Sequence, residues 1–147
     1  MKPNDEYTGS IMRFITDVLD IEAIFETIPE GMRTPSVYFP TLNLTGNSDT
    51  LSSFSQDLSW YIKIFGKDSD EAYNLAKKAV TAINRNRNKI PIVNENGEYM
   101  GKNFKIKQLE IKEIDTGVCQ LIIRWTQREY YSDVFIEQEE IKNYHFQ

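Results

Sequence analysis

Asp57-Leu58-Ser59-Trp60-Tyr61-Ile62-Lys63-Ile64-Phe65-Gly66, running straight into Lys67-Asp68-Ser69-Asp70-Glu71-Ala72-Tyr73-Asn74-Leu75-Ala76-Lys77-Lys78-Ala79-Val80-Thr81-Ala82-Ile83, is the stretch whose reading decides the fold. Leu58, Trp60, Ile62 and Ile64 recur at a spacing of two, with Ser59, Tyr61 and Lys63 between them, which predicts a strand with one buried face. Gly66 ends that strand. Asp68 followed three residues later by Glu71 is a capping-box pattern, and Ala72, Leu75, Ala76, Ala79, Val80 and Ile83 then recur at helical spacing. A helix of this length spans about 22 Å, enough to cross several strands, so the stretch predicts a helix lying on a sheet. The small Ala residues on its inner face allow a close approach.

Working back toward the N-terminus, Ser10 is placed to cap a helix whose apolar stripe is Ile11, Phe14, Ile15, Val18 and Leu19. Residues 20–31 fit either more helix or a short strand, closed by Pro29 and Gly31. Ser36-Val37-Tyr38-Phe39-Pro40, with Pro35 before it, predicts an edge strand. Thr41 to Gln56 is rich in Thr, Ser, Asn and Gly but carries Leu42, Leu44, Leu51 and Phe54. It reads as a long hairpin with its tip at Gly46, Asn47, Ser48 and Asp49, and those four residues are the first candidate contact site.

Working forward, the basic run Asn84-Arg85-Asn86-Arg87-Asn88-Lys89 complements a helix C-terminus and needs no partner for that, although it could also hold an anion. Ile90 to Val93 and Glu98 to Met100 flank an Asn96-Gly97 turn and predict a small hairpin. Phe104 and Ile106 alternate in one phase and Leu109 and Ile111 in the other, which predicts a bulge near Lys107-Gln108. Asp115-Thr116-Gly117 turns the chain into a long strand with Cys119, Leu121, Ile123 and Trp125 facing inward. Residues 1–133 thus read as one α+β domain of mostly antiparallel β-sheet, with a long helix packed on one face, an N-terminal helix and protruding hairpins. Residues 134–147 form a C-terminal extension whose Phe135, Ile136, Ile141, Tyr144 and Phe146 are the second candidate contact site, because the sheet that could bury them has already ended; the alternative is that the segment folds back as an extra strand or helix on its own domain.

Composition excludes more chemistry than it suggests. The chain has 147 residues, a formal net charge of −5, one cysteine (Cys119) and one histidine (His145). An internal disulfide is impossible, a Cys/His zinc cluster lacks ligands, and a Ser–His–Asp triad would have to recruit a histidine two residues from the end. Cofactor, metal and catalytic residues are accordingly all read as none, and the chain as a non-enzyme. The acidic balance disfavours a general nucleic-acid binder or a membrane-surface protein, and the first residues carry no signal-peptide pattern. A protein partner and assembly in a cytoplasm are expected.

The order helix, edge strand, hairpin, strand, helix, hairpin and two long antiparallel strands, together with Pro35 to Pro40, Leu58 to Ile83, Leu121-Ile122-Ile123-Arg124-Trp125 and Arg128-Glu129-Tyr130-Tyr131, resembles the tail terminator, or tail completion, proteins of tailed bacteriophages and of phage-tail-like bacteriocins. The resemblance covers roughly residues 10–133. It implies a ring, usually of six copies, that caps the tail tube, stops its polymerisation and offers a surface to the head connector or, in headless particles, a collar. It implies as partners other copies of the chain and the tail tube protein, with sheath, collar or head connector beyond, and DNA as cargo passing through the lumen. A neighbouring head–tail joining role is the alternative. Two other classes are weaker. A nucleic-acid module would use Trp60, Tyr61, Trp125, Tyr130 and Tyr131 to stack bases, and a small enzyme would need Asp68, Asp70 and Glu71, or Glu137, Glu139 and Glu140, as paired carboxylates.

Overall fold

The computed structural model describes residues 6–25 and 34–130. In chain order the elements are α1 (Glu6–Leu19), β1 (Glu22–Phe25), β2 (Ser36–Phe39), β3 (Asn43–Ser48), β4 (Ser53–Phe65), α2 (Ser69–Arg85), β5 (Lys89–Val93), β6 (Tyr99–Lys105), β7 (Gln108–Asp115) and β8 (Val118–Tyr130). The fold is α+β, mostly sheet with two helices among the described residues. The main sheet runs β1-β2-β4-β8-β7, and β3 joins β4 on the side that β2 also uses. Strands β5 and β6 form a separate two-stranded sheet that packs against α1.

The opening stretch folds as its periodicities require. Leu58, Trp60, Ile62 and Ile64 are all buried, and Ala72, Ala76, Ala79 and Ile83 of α2 pack on them. Asp68 Oδ1 accepts from the Glu71 amide at 2.8 Å while Glu71 Oε1 accepts from the Lys67 amide at 2.9 Å, so both carboxylates are used in holding the helix start. Gly66 is required here: a Cβ at this position would sit 2.6 Å from the Ala72 amide nitrogen. The Gly66 amide also donates to the Gly117 carbonyl at 2.9 Å, which ties the β4–α2 junction to the β7–β8 turn.

Four expectations are corrected. Ser10 lies inside α1 rather than capping it; its hydroxyl donates to the Glu6 carbonyl at 2.5 Å and accepts from the Val93 amide at 2.9 Å, fastening α1 to β5. The run Ser36 to Phe39 is not an edge, because the ambiguous segment after α1 forms β1 and pairs with β2 in parallel. The phase change near residue 107 is no bulge: β6 ends at Lys105, β7 begins at Gln108, and the two belong to different sheets. Ile106 donates its amide to the Asn88 carbonyl and Lys107 donates to the Arg124 carbonyl, marking the handover, so both apolar phases serve the core. Finally, Gly46, Asn47 and Ser48 lie within β3 and the turn falls later, where Thr50 and Ser53 exchange backbone hydrogen bonds of 3.0 and 3.4 Å around Leu51-Ser52.

An aromatic chain crosses the core. Phe39, Trp60, Trp125, Phe104 and Tyr7 follow one another at ring separations of 5.3, 6.4, 6.1 and 4.6 Å, joining β2, β4, β8, β6 and α1. Both indole N–H groups are satisfied, Trp60 by the Pro40 carbonyl at 2.6 Å and Trp125 by Gln127 Oε1 at 2.8 Å. Replacing Trp125 with Ala should therefore cost about 3–5 kcal/mol, and Leu75, which is only half-buried at the core's margin, about 1 kcal/mol. Urea melts of the two variants check the order; equal shifts would mean that the aromatic chain contributes no more than its margin.

Candidate interaction surface

The chemistry-bearing residues resolve first into structural roles. Asp68 and Glu71 are committed to the α2 start, as above. The Cys119 thiol is buried, its ionisation pushed up by loss of water, which makes it inert. Among the described residues no group of three or more His, Cys, Asp or Glu side chains is placed to hold a metal ion. Of the aromatic residues that could have stacked bases, Trp60 and Trp125 lie in the core; Tyr61 lies on the opposite face with the Arg124 guanidinium 5.9 Å from its ring centre. The Tyr130 side chain, Tyr131, Glu137, Glu139, Glu140 and His145 lie outside the described residues, as do Phe135, Ile136, Ile141, Tyr144 and Phe146 and the whole extension 134–147.

What the structure does build is a three-stranded end of the main sheet. Strand β3 pairs with β4 from Asn43↔Ser59 to Ser48↔Phe54, and β8 pairs with the same part of β4 from its other side, out to Ser53↔Tyr130. All six residues of β3 are exposed, including Leu44 at 54 %, and Leu51 at the turn is fully exposed. The candidate residues Gly46, Asn47 and Ser48 thus lie along a strand, with Asp49 at its end. Sequence reasoning missed the residues that hold them: Asp57, Thr126 and Arg128.

The hydrogen bonding is concentrated on two carboxylates. Asp57 accepts from Thr126 Oγ1 at 2.7 Å and from Asn47 Nδ2 at 2.8 Å, bridging β8, β4 and β3. Asp49 faces Arg128 Nε at 2.6 Å and accepts from Ser53 Oγ at 2.7 Å. The Thr126 hydroxyl, helped by Asn47 and by the charge of Lys107, lowers the Asp57 pKa below the ordinary value of 3.8, against a smaller opposing effect of desolvation. A residue search for catalysts would pass these groups over, since each is a common surface type; only the pairing register shows that they converge.

No protein-family model matches the chain. A solved chain from the virion of a native gene transfer agent particle superposes with a TM-score of 0.50, covering 84% of this chain and 93% of that one at 9% sequence identity, so the fold is one that a virion chain also adopts. Phage-like element PBSX protein XkdJ of Bacillus subtilis strain 168 is 35% identical over 124 residues, spanning 84% of this chain and 85% of its own length. The chain belongs to the family of that phage-like-element protein. The uncharacterized protein YqbJ of the same strain is 27% identical over 127 residues, covering 86% of this chain and 87% of its own.

Two predictions follow from the carboxylates. Because the folded pKa of Asp57 is depressed, its stabilising effect is full at neutral pH and is lost as the pH falls through the folded value. Carboxyl NMR titration should find Asp57 below 3.8 in the native chain and raised in Thr126→Val; an unchanged value in the variant would remove the hydroxyl from its assigned role. Arg128→Ala should cost little overall, about 0.2–1 kcal/mol for so exposed a pair. It should nevertheless speed amide exchange in residues 43–48 while leaving α2 unchanged, which hydrogen-exchange mass spectrometry can measure.

Proposed function

We propose that the chain is a structural, non-catalytic subunit of a phage-type tail, forming a ring of six copies that caps the tail tube, ends its polymerisation and provides the attachment surface for a head or collar. The observation that carries the reading is membership in a family whose relative is named for a phage-like element, on a fold shared with a virion chain. The physical character of the molecule supports it. Cys119 is buried, Asp68 and Glu71 are taken up in the start of α2, and strand β3 is exposed along its whole length. In this reading the β3–β4 hairpin projects from the body to grip neighbours, and its partners are other copies and the tube protein, with sheath, collar or head connector beyond. The particle is put together in the bacterial cytoplasm, and any DNA passes through the lumen as cargo.

The test is assembly without the chain. Particles produced from an element lacking this gene should carry tubes of uncontrolled length in negative-stain electron microscopy, and adding the purified protein during assembly should restore a fixed length. Tubes of normal length that merely fail to join a head would replace tube capping with a head–tail joining role.

A further inference from the structure

We infer that the outer edge of β3 is a docking strand for the C-terminal segment, residues 131–147, of a second copy of this chain. The inference rests on the ring-forming reading above and names the contact that would join neighbours in it. Strand β3 is bonded on one side only, to β4; its other edge has no ladder partner among the described residues. An exposed strand edge is a template for another strand, and proteins that must remain single usually blunt it with charges, prolines or bulges.

The open edges of β7 and β3 differ in this respect. Strand β7 carries Glu110, Lys112, Glu113 and Asp115 and has a register shift between Glu113 and Asp115. Strand β3 reads Asn43-Leu44-Thr45-Gly46-Asn47-Ser48, with no charge, no proline and an unbroken register. It is also held in place. Asp57 ties it to β4 and β8 through Asn47 and Thr126, and Asp49 ties its end to Arg128, so the edge is presented as a formed strand and little ordering remains to be done on binding.

The occupant is argued from where the described chain ends. Tyr130 pairs with Ser53, at the same end of the sheet where Ser48 of β3 pairs with Phe54, so the chain continues into residues 131–147 from the end of the sheet that β3 occupies. They include Val134-Phe135-Ile136, a run of strand-favouring residue types with Asp133 before it and Glu137 after it. The exposed Leu44 and Leu51 supply apolar contacts for such a run. To reach the outer edge of its own β3, the segment would have to cross over β4 and β3, about three strand spacings or 14 Å, before pairing could begin. The edge of a neighbour can be approached in the plane of the sheet. An identical, one-directional contact of this kind, repeated from copy to copy, builds a ring when the rotation between copies closes.

Disulfide trapping tests it in the full chain. Two variants, Thr45→Cys and Ile136→Cys, are made with tags of different size and mixed before mild oxidation; the native Cys119 is buried and stays silent. The expected result is a mixed disulfide between the two differently tagged copies, absent when Lys77→Cys on α2 replaces Thr45→Cys. Amide exchange across residues 43–48 gives a reading that does not depend on register, and it should slow roughly tenfold or more on assembly. Rings that form with exchange at 43–48 unchanged overturn this inference alone. A disulfide found only within one chain in the double variant Thr45→Cys/Ile136→Cys also overturns it, in favour of a segment folded on its own copy. A chain that stays monomeric in sedimentation at all concentrations overturns the ring reading and this inference together.

Discussion

The ladder between β4 and β8 is longer than the helix laid across it, and that mismatch shapes the rest of the molecule. Strand β4 pairs with β8 residue for residue from Ser53↔Tyr130 to Phe65↔Val118. Thirteen residues of strand extend about 44 Å, whereas the 17 residues of α2 extend about 25 Å. Helix α2 starts at the Gly66–Gly117 end, so its cover runs out before the ladder does. The burial along β4 follows: Leu58 to Phe65 alternates buried with half-buried, while Ser53 to Asp57 is mostly half-buried or exposed. The surplus ladder is where β3 attaches and where the hydrogen-bonded carboxylates replace the apolar core as the source of order.

The aromatic chain sets the boundary between the two regimes. Trp125 packs on Trp60 and Phe104, and two residues further along the strand Gln127 accepts its indole hydrogen bond while itself nearly buried. One residue beyond Trp125, on the other face, Thr126 already serves Asp57. Apolar packing stabilises the body by removing area from water; the three-stranded end depends on directional bonds that are individually modest and exposed to salt. The two parts can therefore respond differently to conditions, the body to core substitutions and the three-stranded end to pH and ionic strength.

The legibility of the sequence followed the same boundary. Where one face is buried, periodicity reports it, so Leu58 to Ile64, Ala72 to Ile83 and Cys119 to Trp125 were readable from spacing alone. Where the environment changes within a few residues, periodicity misleads. Phe104, Ile106, Leu109 and Ile111 suggested one bulged strand because nothing local says that consecutive strands enter different sheets. Ser10 suggested a cap because its type favours one, while its actual bond to Val93 spans 83 residues. Asp57, Thr126 and Arg128 were invisible for a related reason: they come together only through the β4–β8 register, and common surface residues carry no signal of their own.

That register also bears on why an open edge is tolerable. A long, flat, apolar edge strand invites indiscriminate pairing, and β3 is none of these fully: it spans six residues, its one large apolar side chain is Leu44, and the rest are Gly or small polar groups. Backbone bonding alone would then give a weak contact with any passing strand. Selectivity must come from side chains next to the edge, and the structure places Leu44 and Leu51 there with the Asp49–Arg128 pair close by. An extended segment that brings an apolar run can pack on the first two, while Asp49 is already paired with Arg128 and Ser53. A short, mostly polar edge of this kind gives little to a chance partner, and its selectivity rests on the few side chains beside it.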